Sequence, residues 1–332
     1  MVLVLLATAL LAVVGSGRAE SAASFDVLVY GATPGGIASA VAAAREGSKT
    51  ALLEPSQYIG GAMSGGLGQS DFGPHAQRVM GARSISTEFF RRVAEHYNVS
   101  FFWPPDFQCG MHIPPWVSEP HVAEQVFVDM LREANVTVRL ATRIDAVRTS
   151  TGTSPRIETV STPDGRVFAA DVCLDGTYEG ALMKMAGVSY TFGREANTTY
   201  NEAGAGRLPT FSEEPVWDIG TRSAQLPAGI SPWVDYRNTT LIAGVWGGEV
   251  APVGGADGRV GGYDWRLTLT DEKSNFVPLP EPDHYDPADY ELVRRVVKMH
   301  PGIAHAPGFS VPNRKTDWKM CESRNPTRGP AY

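Results

Sequence analysis

A glycine-rich turn at residues 31–36 has residue types and spacing that suit the binding of a phosphate-bearing ligand. It follows the pattern G-x-x-x-G-G, in which a threonine replaces the middle glycine of the more usual G-x-G-x-x-G. Its candidate binding residues are Gly31, Thr33, Pro34, Gly35 and Gly36. The first glycine allows a sharp exit from a strand, and the last lets a helix approach the sheet. Because the amides at a helix N-terminus are unpaired, this turn predicts a pyrophosphate site.

The segments around the turn predict the strand, helix and strand that would position it. Residues 25–30, FDVLVY, are typical of a buried strand. Thr33 suits an N-cap, and the Ala-rich helix after it is expected to end at Gly47. A second strand, KTALLE, ends at Glu54, which lies 23 residues after Gly31. An acid at this distance accepts hydrogen bonds from a ribose diol, which favours dinucleotide binding over a simple βα turn.

A second glycine-rich segment, GGAMSGGLG at 60–68, has five glycines in nine positions. Such a loop can lie along a long cofactor, donating amides to a pyrophosphate and passing close to a planar ring. Its candidate contacts are Gly60, Gly61, Met63 and Gly66. A flexible surface loop is the alternative.

Three segments together resemble a known family. GATPGGIASAVAAAREG, LLEPSQYIGGAMSGGLGQSDFG and DGTYEGALMKMAGVSYTFGREA are similar to FAD-dependent oxidoreductases with the glutathione-reductase type of FAD domain. The resemblance runs from about Phe25 to Asp317. It implies an α/β fold, in which a Rossmann-like FAD-binding domain with a βαβ start and a mixed sheet carries a β-rich substrate domain. The implied cofactor is FAD.

The resemblance also implies which residues contact the cofactor. The turn at 31–36 would hold the pyrophosphate, Glu54 the adenosine ribose, and the backbone near Ile144 the adenine. The motif DGTYEG would supply a second contact through Asp175, Gly176 and Thr177. Residues 261–266, GGYDWR, depart from the Gln-Ala-Tyr-Asn-Tyr-Arg-like run expected there.

Flavin oxidation of a substrate also needs a group that takes a proton. His121 and Glu119, in SEPHVAE just before a helix, are the favoured pair, and His112 is the second candidate. A helix cap or a surface position is the alternative for His121. Arg266 and Lys315 are candidates to orient an anionic or hydroxyl-rich substrate, with an ion-paired structural role as the alternative. No His or Cys spacing in the sequence predicts a metal site.

The N-terminus predicts export. Val2 to Val14 is an apolar run of 13 residues, shorter than the roughly 20 that span a bilayer, and small residues follow it. We expect a signal peptide at 1–19, with an uncleaved anchor or a buried strand as alternatives, and a secreted protein. Four N-x-S/T sequons fit that route, at Asn98, Asn135, Asn197 and Asn238. The three cysteines are an odd number, so at least one thiol is expected to be free; they are Cys109, Cys173 and Cys321.

Length and charge set the remaining limits. The 332 residues suffice for two domains. The chain has 29 Lys and Arg against 36 Asp and Glu and contains no basic block, which argues against nucleic acid as a partner. We expect an FAD-binding domain at 24–190, with a loop and helix insertion at about 69–120. A β-rich substrate or cap domain is expected at 191–332. Apolar spacing predicts helices at 85–97, from His121 to Ala134 and at 286–299. The side chains expected to face inward from the first two are Phe89, Phe90, Val93, Val122, Val126, Met130 and Leu131. The polar segment after VPNRKTD predicts a truncated C-terminal return to the FAD domain.

Two functions follow from these features. The first is a secreted FAD-dependent oxidoreductase that oxidises a small organic or sugar-like substrate by hydride transfer to flavin N5. The alternative is a non-catalytic, truncated glycoprotein of flavoprotein fold that binds a ligand or partner. The glycine turns and Glu54 favour the enzyme, and the missing return segment favours the alternative. No membrane span is expected after the signal peptide, and the sequence leaves the oligomeric state open.

Overall fold

The computed structural model describes residues 22–68, 81, 83–101, 116–208, 229–235, 240–242, 251–258, 266–281, 283–299, 301 and 309–319. The strands of this part are β1 Ala23–Tyr30, β2 Thr50–Leu53, β3 Thr137–Arg139, β4 Ala146–Thr149, β5 Ile157–Ser161, β6 Val167–Asp175, β7 Arg266–Thr270, β8 Phe309–Val311 and β9 Lys315–Lys319. The α-helices are α1 Pro34–Arg45, α2 Ile85–His96, α3 Pro120–Glu133, α4 Ala181–Met185 and α5 Glu291–Met299. Short 3-10 turns lie at Gly61–Met63, Lys273–Asn275 and Pro287–Tyr290.

The first six strands form one mixed sheet in the order β3-β2-β1-β6-β5-β4. β1 is parallel to β2 and β6, whereas β5 is antiparallel to β4 and β6. Tyr30 is in register with Leu53 and with Asp175, so the three central strands end at one level. The residues that follow these strands therefore meet at one edge of the sheet. This architecture confirms the predicted α/β fold with a βαβ start and a mixed sheet.

Both faces of β1 are covered, which explains why its sequence is apolar almost throughout. Val29 packs on one face with α1 residues such as Val41, in a cluster that extends to α2 and α3. Leu28 and Tyr30 face the other side, where they pack with residues of β5 and β6 such as Phe168. Because successive side chains of a strand point to opposite faces, one short strand connects both cores.

The helix predictions agree with the structure to within one or two residues for α1, α2 and α3. Thr33 caps α1, with its side chain accepting a hydrogen bond from the Gly36 amide, and Ser84 caps α2 through Thr87. Side chains predicted to face inward are buried; they are Phe89, Phe90, Val93, Val122, Val126, Met130 and Leu131. The predicted helix at 286–299 forms a 3-10 turn followed by α5.

The second sheet is antiparallel, with strand order β7-β9-β8. In the described part of residues 191–332 it is accompanied by isolated bridges, such as Arg194 with Asp257. The domain limits at 190 and 191, and the insertion at about 69–120, stay predictions.

Several sequence predictions fall outside the described residues, namely the signal peptide, His112, Cys109, Cys321 and Asn238. Cys173 has a free thiol that is half-buried in β6, and burial raises its pKa. Among the helices that the structure describes, none has the length and apolar character needed to cross a membrane.

The crowding at the first helical turn gives a stability prediction. A Cβ at Gly36 would overlap the carbonyl oxygen of Gly31, whereas a Cβ at Gly35 would meet only Thr33 Oγ1, at 3.9 Å. Gly36→Ala should lower the free energy of unfolding by about 3 kcal/mol, because backbone must move to make room. Gly35→Ala should leave it unchanged or raise it by up to about 1 kcal/mol, since Ala favours helix. Denaturant unfolding of both variants checks this, and equal stabilities would contradict it.

Candidate functional site

Three glycines bring the backbones of β1, α1 and β6 together. A Cβ at Gly31 would lie 2.8 Å from the carbonyl carbon of Gly176, and one at Gly176 would lie 2.7 Å from the Cα of Gly36. Thr33 Oγ1 joins the same contact, donating to the Gly176 carbonyl at 2.6 Å and accepting from the Gly36 amide at 3.3 Å. The threonine in place of the usual middle glycine therefore links the first glycine turn to the DGTYEG motif.

Glu54 follows β2 at the same edge of the sheet and is 9% exposed. Its Oε2 accepts from the Ala32 amide at 2.6 Å, and its Oε1 accepts from the Ser56 amide at 2.8 Å. Each carboxylate oxygen has a further lone pair available for a ligand. The acid is thus anchored to the glycine turn while it lines the neighbouring cavity.

The glycine loop at 60–68 runs from the first turn to the second sheet. The Gly60 amide donates to the Ala32 carbonyl at 2.8 Å, and the Gly68 amide donates to Asp317 Oδ2 at 3.1 Å. Between these ends, Gly66 lies against β7, where a Cβ would be 2.8 Å from the Arg266 carbonyl oxygen. The clustering of glycines in this segment is explained by these close backbone approaches.

These elements surround a cavity of about 1200 Å³, larger than the roughly 300–1,000 Å³ typical of a small-molecule site. Predicted site residues on its wall are Gly31, Thr33, Glu54, Gly61, Gly66, His121, Thr177, Arg266 and Lys315. The sequence analysis did not single out other wall residues, among them Tyr58, Glu124, Tyr178, Phe276, Val277 and Leu279. Tyr178 stands inside the quoted DGTYEG motif, which was the available signal for it.

The remaining predicted cofactor residues support this wall. Asp175 accepts from the Thr177 amide at 3.0 Å and from the Met183 amide at 2.9 Å, which holds the motif between β6 and α4. The Ile144 amide donates to the Tyr30 hydroxyl at 3.3 Å, and the Ile144 side chain is buried. Met63 packs against the core that contains α1, and together with Pro34 it lines a small groove beside α2.

Glu119 lies behind the cavity and is only 1% exposed. It forms an ion pair with Lys315, accepts from Asn313 Nδ2 at 2.7 Å, and shares two hydrogen bonds with the Tyr97 hydroxyl. Burial alone would raise the pKa of Glu119, but the hydrogen bonds from Lys315 and Asn313 outweigh it, so this pKa lies below its ordinary value. Burial raises the pKa of Tyr97.

This network gives Glu119 a structural role, and the pairing of Glu119 with His121 as proton acceptors stays a prediction. The Glu119 carboxylate is ionised and surrounded by donors, so it holds Lys315 in place. His121, one residue into α3, is exposed on the cavity wall. Glu119 is therefore buried, whereas the His121 side chain is exposed at the cavity.

A second buried acid holds Arg266. Asp317 is completely buried, and its Oδ2 accepts from Arg266 Nη1 at 2.9 Å as well as from the Gly68 amide. Arg266 and Lys315 are therefore both ion-paired and both on the cavity wall. Since both acids are buried, these contacts fix the second sheet against the start of α3 and the end of the glycine loop.

The family comparison accounts for this arrangement. The model of the family described as FAD dependent oxidoreductase matches residues 26–328, so the chain belongs to the FAD-dependent oxidoreductases. This confirms the resemblance drawn from the sequence and the prediction of FAD as cofactor. No curated protein matches the chain in sequence.

Several solved structures are similar to parts of the chain. L-proline dehydrogenase from P. horikoshii is 17% identical with a TM-score of 0.38, over 53% of this chain and 59% of that one. THI4 from Thermovibrio ammonificans is 17% identical with a TM-score of 0.34, over 52% and 66%. A 3-ketosteroid dehydrogenase from Rhodococcus jostii is 19% identical with a TM-score of 0.30, over 48% and 47%. The chain thus spans less than two thirds of the length of each.

The Glu119 network predicts a pH-dependent loss of stability. Lys315→Met leaves a buried carboxylate without its cation and should lower the free energy of unfolding by about 3–5 kcal/mol at neutral pH. The folded-state pKa of Glu119 is lowered, so its ionised carboxylate stabilises the folded protein at pH values above the unfolded-state pKa. This stabilisation is lost as the pH falls through the folded-state pKa. The difference between wild type and variant should therefore shrink in acid.

Two further variants test the origin of this effect. Adding Glu119→Gln to Lys315→Met should recover part of the stability, since no buried charge then remains. Arg314→Met removes two exposed ion pairs, with Asp271 and Glu272, and should change stability by less than about 1 kcal/mol. Unfolding curves measured at several pH values would contradict the interpretation if the Lys315→Met loss were independent of pH.

Proposed function

We propose that this protein oxidises a small organic or sugar-like substrate by hydride transfer to N5 of a bound FAD. The observation that carries the proposal is the meeting of three sequence motifs on one cavity. The glycine turn at 31–36, the acid Glu54 and the Thr177 end of DGTYEG all line it. Family membership supports an FAD-dependent oxidoreductase in general, and the substrate class is the part proposed here.

The residues around the cavity fit FAD. The first-turn amides of α1, such as that of exposed Gly35, would bind the pyrophosphate, since Thr33 occupies only the Gly36 amide. Glu54, already oriented by two backbone amides, would accept from the adenosine ribose. The loop at 60–68 would lie along the rest of the cofactor, and the volume leaves space for a substrate as well.

FAD, when bound, supplies the two-electron acceptor for the substrate C–H bond. The chain contributes the opposite wall, where Phe276, Val277 and Leu279 expose apolar surface that a bound molecule would cover. His121 is the titratable group proposed to take the substrate proton on a ring nitrogen. Arg266 and Lys315, each paired to a buried acid, contribute fixed donors whose charge is balanced.

Flavin binding tests this function. The purified chain should bind FAD and carry its visible absorption, and Glu54→Gln should raise the FAD dissociation constant by roughly 10- to 100-fold, the scale of a charge-assisted hydrogen bond. Glu46→Gln, an exposed position at the other end of α1, should leave that constant unchanged. Titration by quenching of flavin fluorescence measures both variants.

The redox part of the proposal has its own readout. Anaerobic mixing of the FAD-loaded protein with small alcohols, amines and sugars should bleach the flavin absorption with at least one of them. A folded protein that binds no FAD would instead favour the non-catalytic alternative. FAD binding without reduction by any class of small molecule would contradict the proposed substrate.

We also propose that the protein is secreted, on the basis of the apolar run at 2–14 and the sequons. Asn98 and Asn135 are exposed just after helices, with φ of 52° and 58°. Asn197 is half-buried, and its amide packs against Gly254, where a Cβ would lie 2.5 Å from Nδ2.

Expression in a glycosylating host should therefore give glycans on Asn98 and Asn135 and none on Asn197, because a glycan on that amide needs the space next to Gly254. Peptide mass spectrometry before and after glycosidase treatment measures the occupancy of each site. Material that retains Met1 and carries no glycan would contradict secretion.

A further inference from the structure

Tyr178 connects the DGTYEG motif to the glycine loop at 60–68. Its hydroxyl accepts a hydrogen bond from the Ala62 amide at 2.9 Å, although the two residues are 116 positions apart. The side chain is 57% exposed and forms part of the cavity wall. A tyrosine this exposed contributes little to the core, so its position is explained by the contact with Ala62.

The loop is shaped to receive the phenol. Gly61 has a φ of 53°, and a Cβ there would overlap the Tyr178 hydroxyl. A side chain at this position would therefore both strain the backbone and displace the tyrosine. The absence of a side chain at Gly61 therefore leaves room for the Tyr178 hydroxyl, and the two motifs are in direct contact at these residues.

The Tyr178 backbone is itself held in place. The preceding residue, Thr177, donates its amide and its hydroxyl to Asp175 Oδ1, at 3.0 Å and 2.7 Å. The Thr177 hydroxyl also accepts from the Ala181 amide at 3.0 Å. The turn that carries Tyr178 is thus held by hydrogen bonds to β6 and to α4, so the tyrosine is a fixed partner for the glycine loop.

The segment at 60–68 is held at both ends and also by hydrogen bonds within it, such as the Gly65 amide to the Gly61 carbonyl at 2.9 Å. Gly60 bonds to Ala32 at one end and Gly68 to Asp317 at the other. The 3-10 turn Gly61–Met63 lies between them, and Tyr178 bonds to the middle residue of that turn. Removing the hydroxyl would leave the Ala62 amide without this partner, while the ends of the loop stay bonded.

We propose that Tyr178 is a positioning residue that keeps the glycine loop in the conformation that receives FAD. This inference rests on the proposed function, because FAD is the ligand of the cavity in both. A loop ordered before binding loses less conformational entropy when the ligand binds, so affinity rises without an additional contact. If the loop samples other conformations, affinity falls in proportion to the competent fraction.

Tyr178→Phe tests the proposal, because it removes only the hydroxyl oxygen. Loss of one hydrogen bond that orders the loop should raise the FAD dissociation constant roughly 3- to 10-fold. The melting temperature of the FAD-free protein should stay close to that of wild type, since the side chain is largely exposed. Tyr190→Phe is the matched control, with a similar exposure of 49% outside this cavity, and should leave affinity unchanged.

Hydrogen exchange of the FAD-free protein provides a second readout. The peptide that contains Ala62 should exchange its amides faster in Tyr178→Phe than in wild type, and at the wild-type rate in Tyr190→Phe. Unchanged exchange in Tyr178→Phe would show that the hydroxyl does not restrain the loop and would overturn the inference.

The two proposals fail in different ways. If wild type binds FAD and Tyr178→Phe binds it equally well, the positioning role is wrong and the proposed function stands. If wild type binds no FAD, the proposed function is wrong, and the positioning of the loop for FAD is overturned with it. Weaker FAD binding, faster exchange of the Ala62 peptide and an unchanged melting temperature together support the inference.

Discussion

The close contact of the backbones at Gly31, Gly36 and Gly176 is the constraint on which the rest of the structure depends. It occurs where three parallel strands end at the same level, and it lets α1 begin directly against two of them. A side chain at Gly36 or Gly176 would separate the helix from the sheet, and one at Gly31 would displace the turn at Gly176 and Thr177. With the helix displaced, its N-terminal amides would no longer face the cavity, and Glu54 would lose the Ala32 amide that orients its carboxylate.

A second constraint comes from the opposite side of the cavity. β9 contributes Lys315 and Asp317, which bond to the start of α3 and to the end of the glycine loop. Buried charges are costly to desolvate, so each pair tolerates only a geometry in which its partner and its hydrogen bonds are complete. The need of these buried pairs for complete partners fixes the position of the second sheet and therefore the width of the cavity. Stability and site geometry are thus determined by the same residues.

Local signals predicted the cofactor side well. Thr33 at the N-cap, Pro34 in the first turn and the glycine after α1 act within a few residues, so their effect can be read without a fold. The same is true of Glu54, whose distance from Gly31 follows from the length of a strand, a helix and a second strand. The long-range contacts were not predicted from the sequence. Glu119 was grouped with His121, two residues away, whereas its ion-pair partner in the structure is Lys315, 196 residues away.

The sequence by itself determined the βαβ unit, since the glycine turn and the apolar runs around it act through short-range sterics and hydrogen bonding. The resemblance of three segments to FAD-dependent oxidoreductases then indicated the class of the protein. Only the tertiary structure decided which polar residues face the cavity. Burial and charge pairing depend on which distant residues the fold brings nearby. The local sequence around a carboxylate or a tyrosine does not indicate its partner. Glu119 became a buried anchor and Tyr178 a link between two glycine motifs because residues distant in sequence meet there in space.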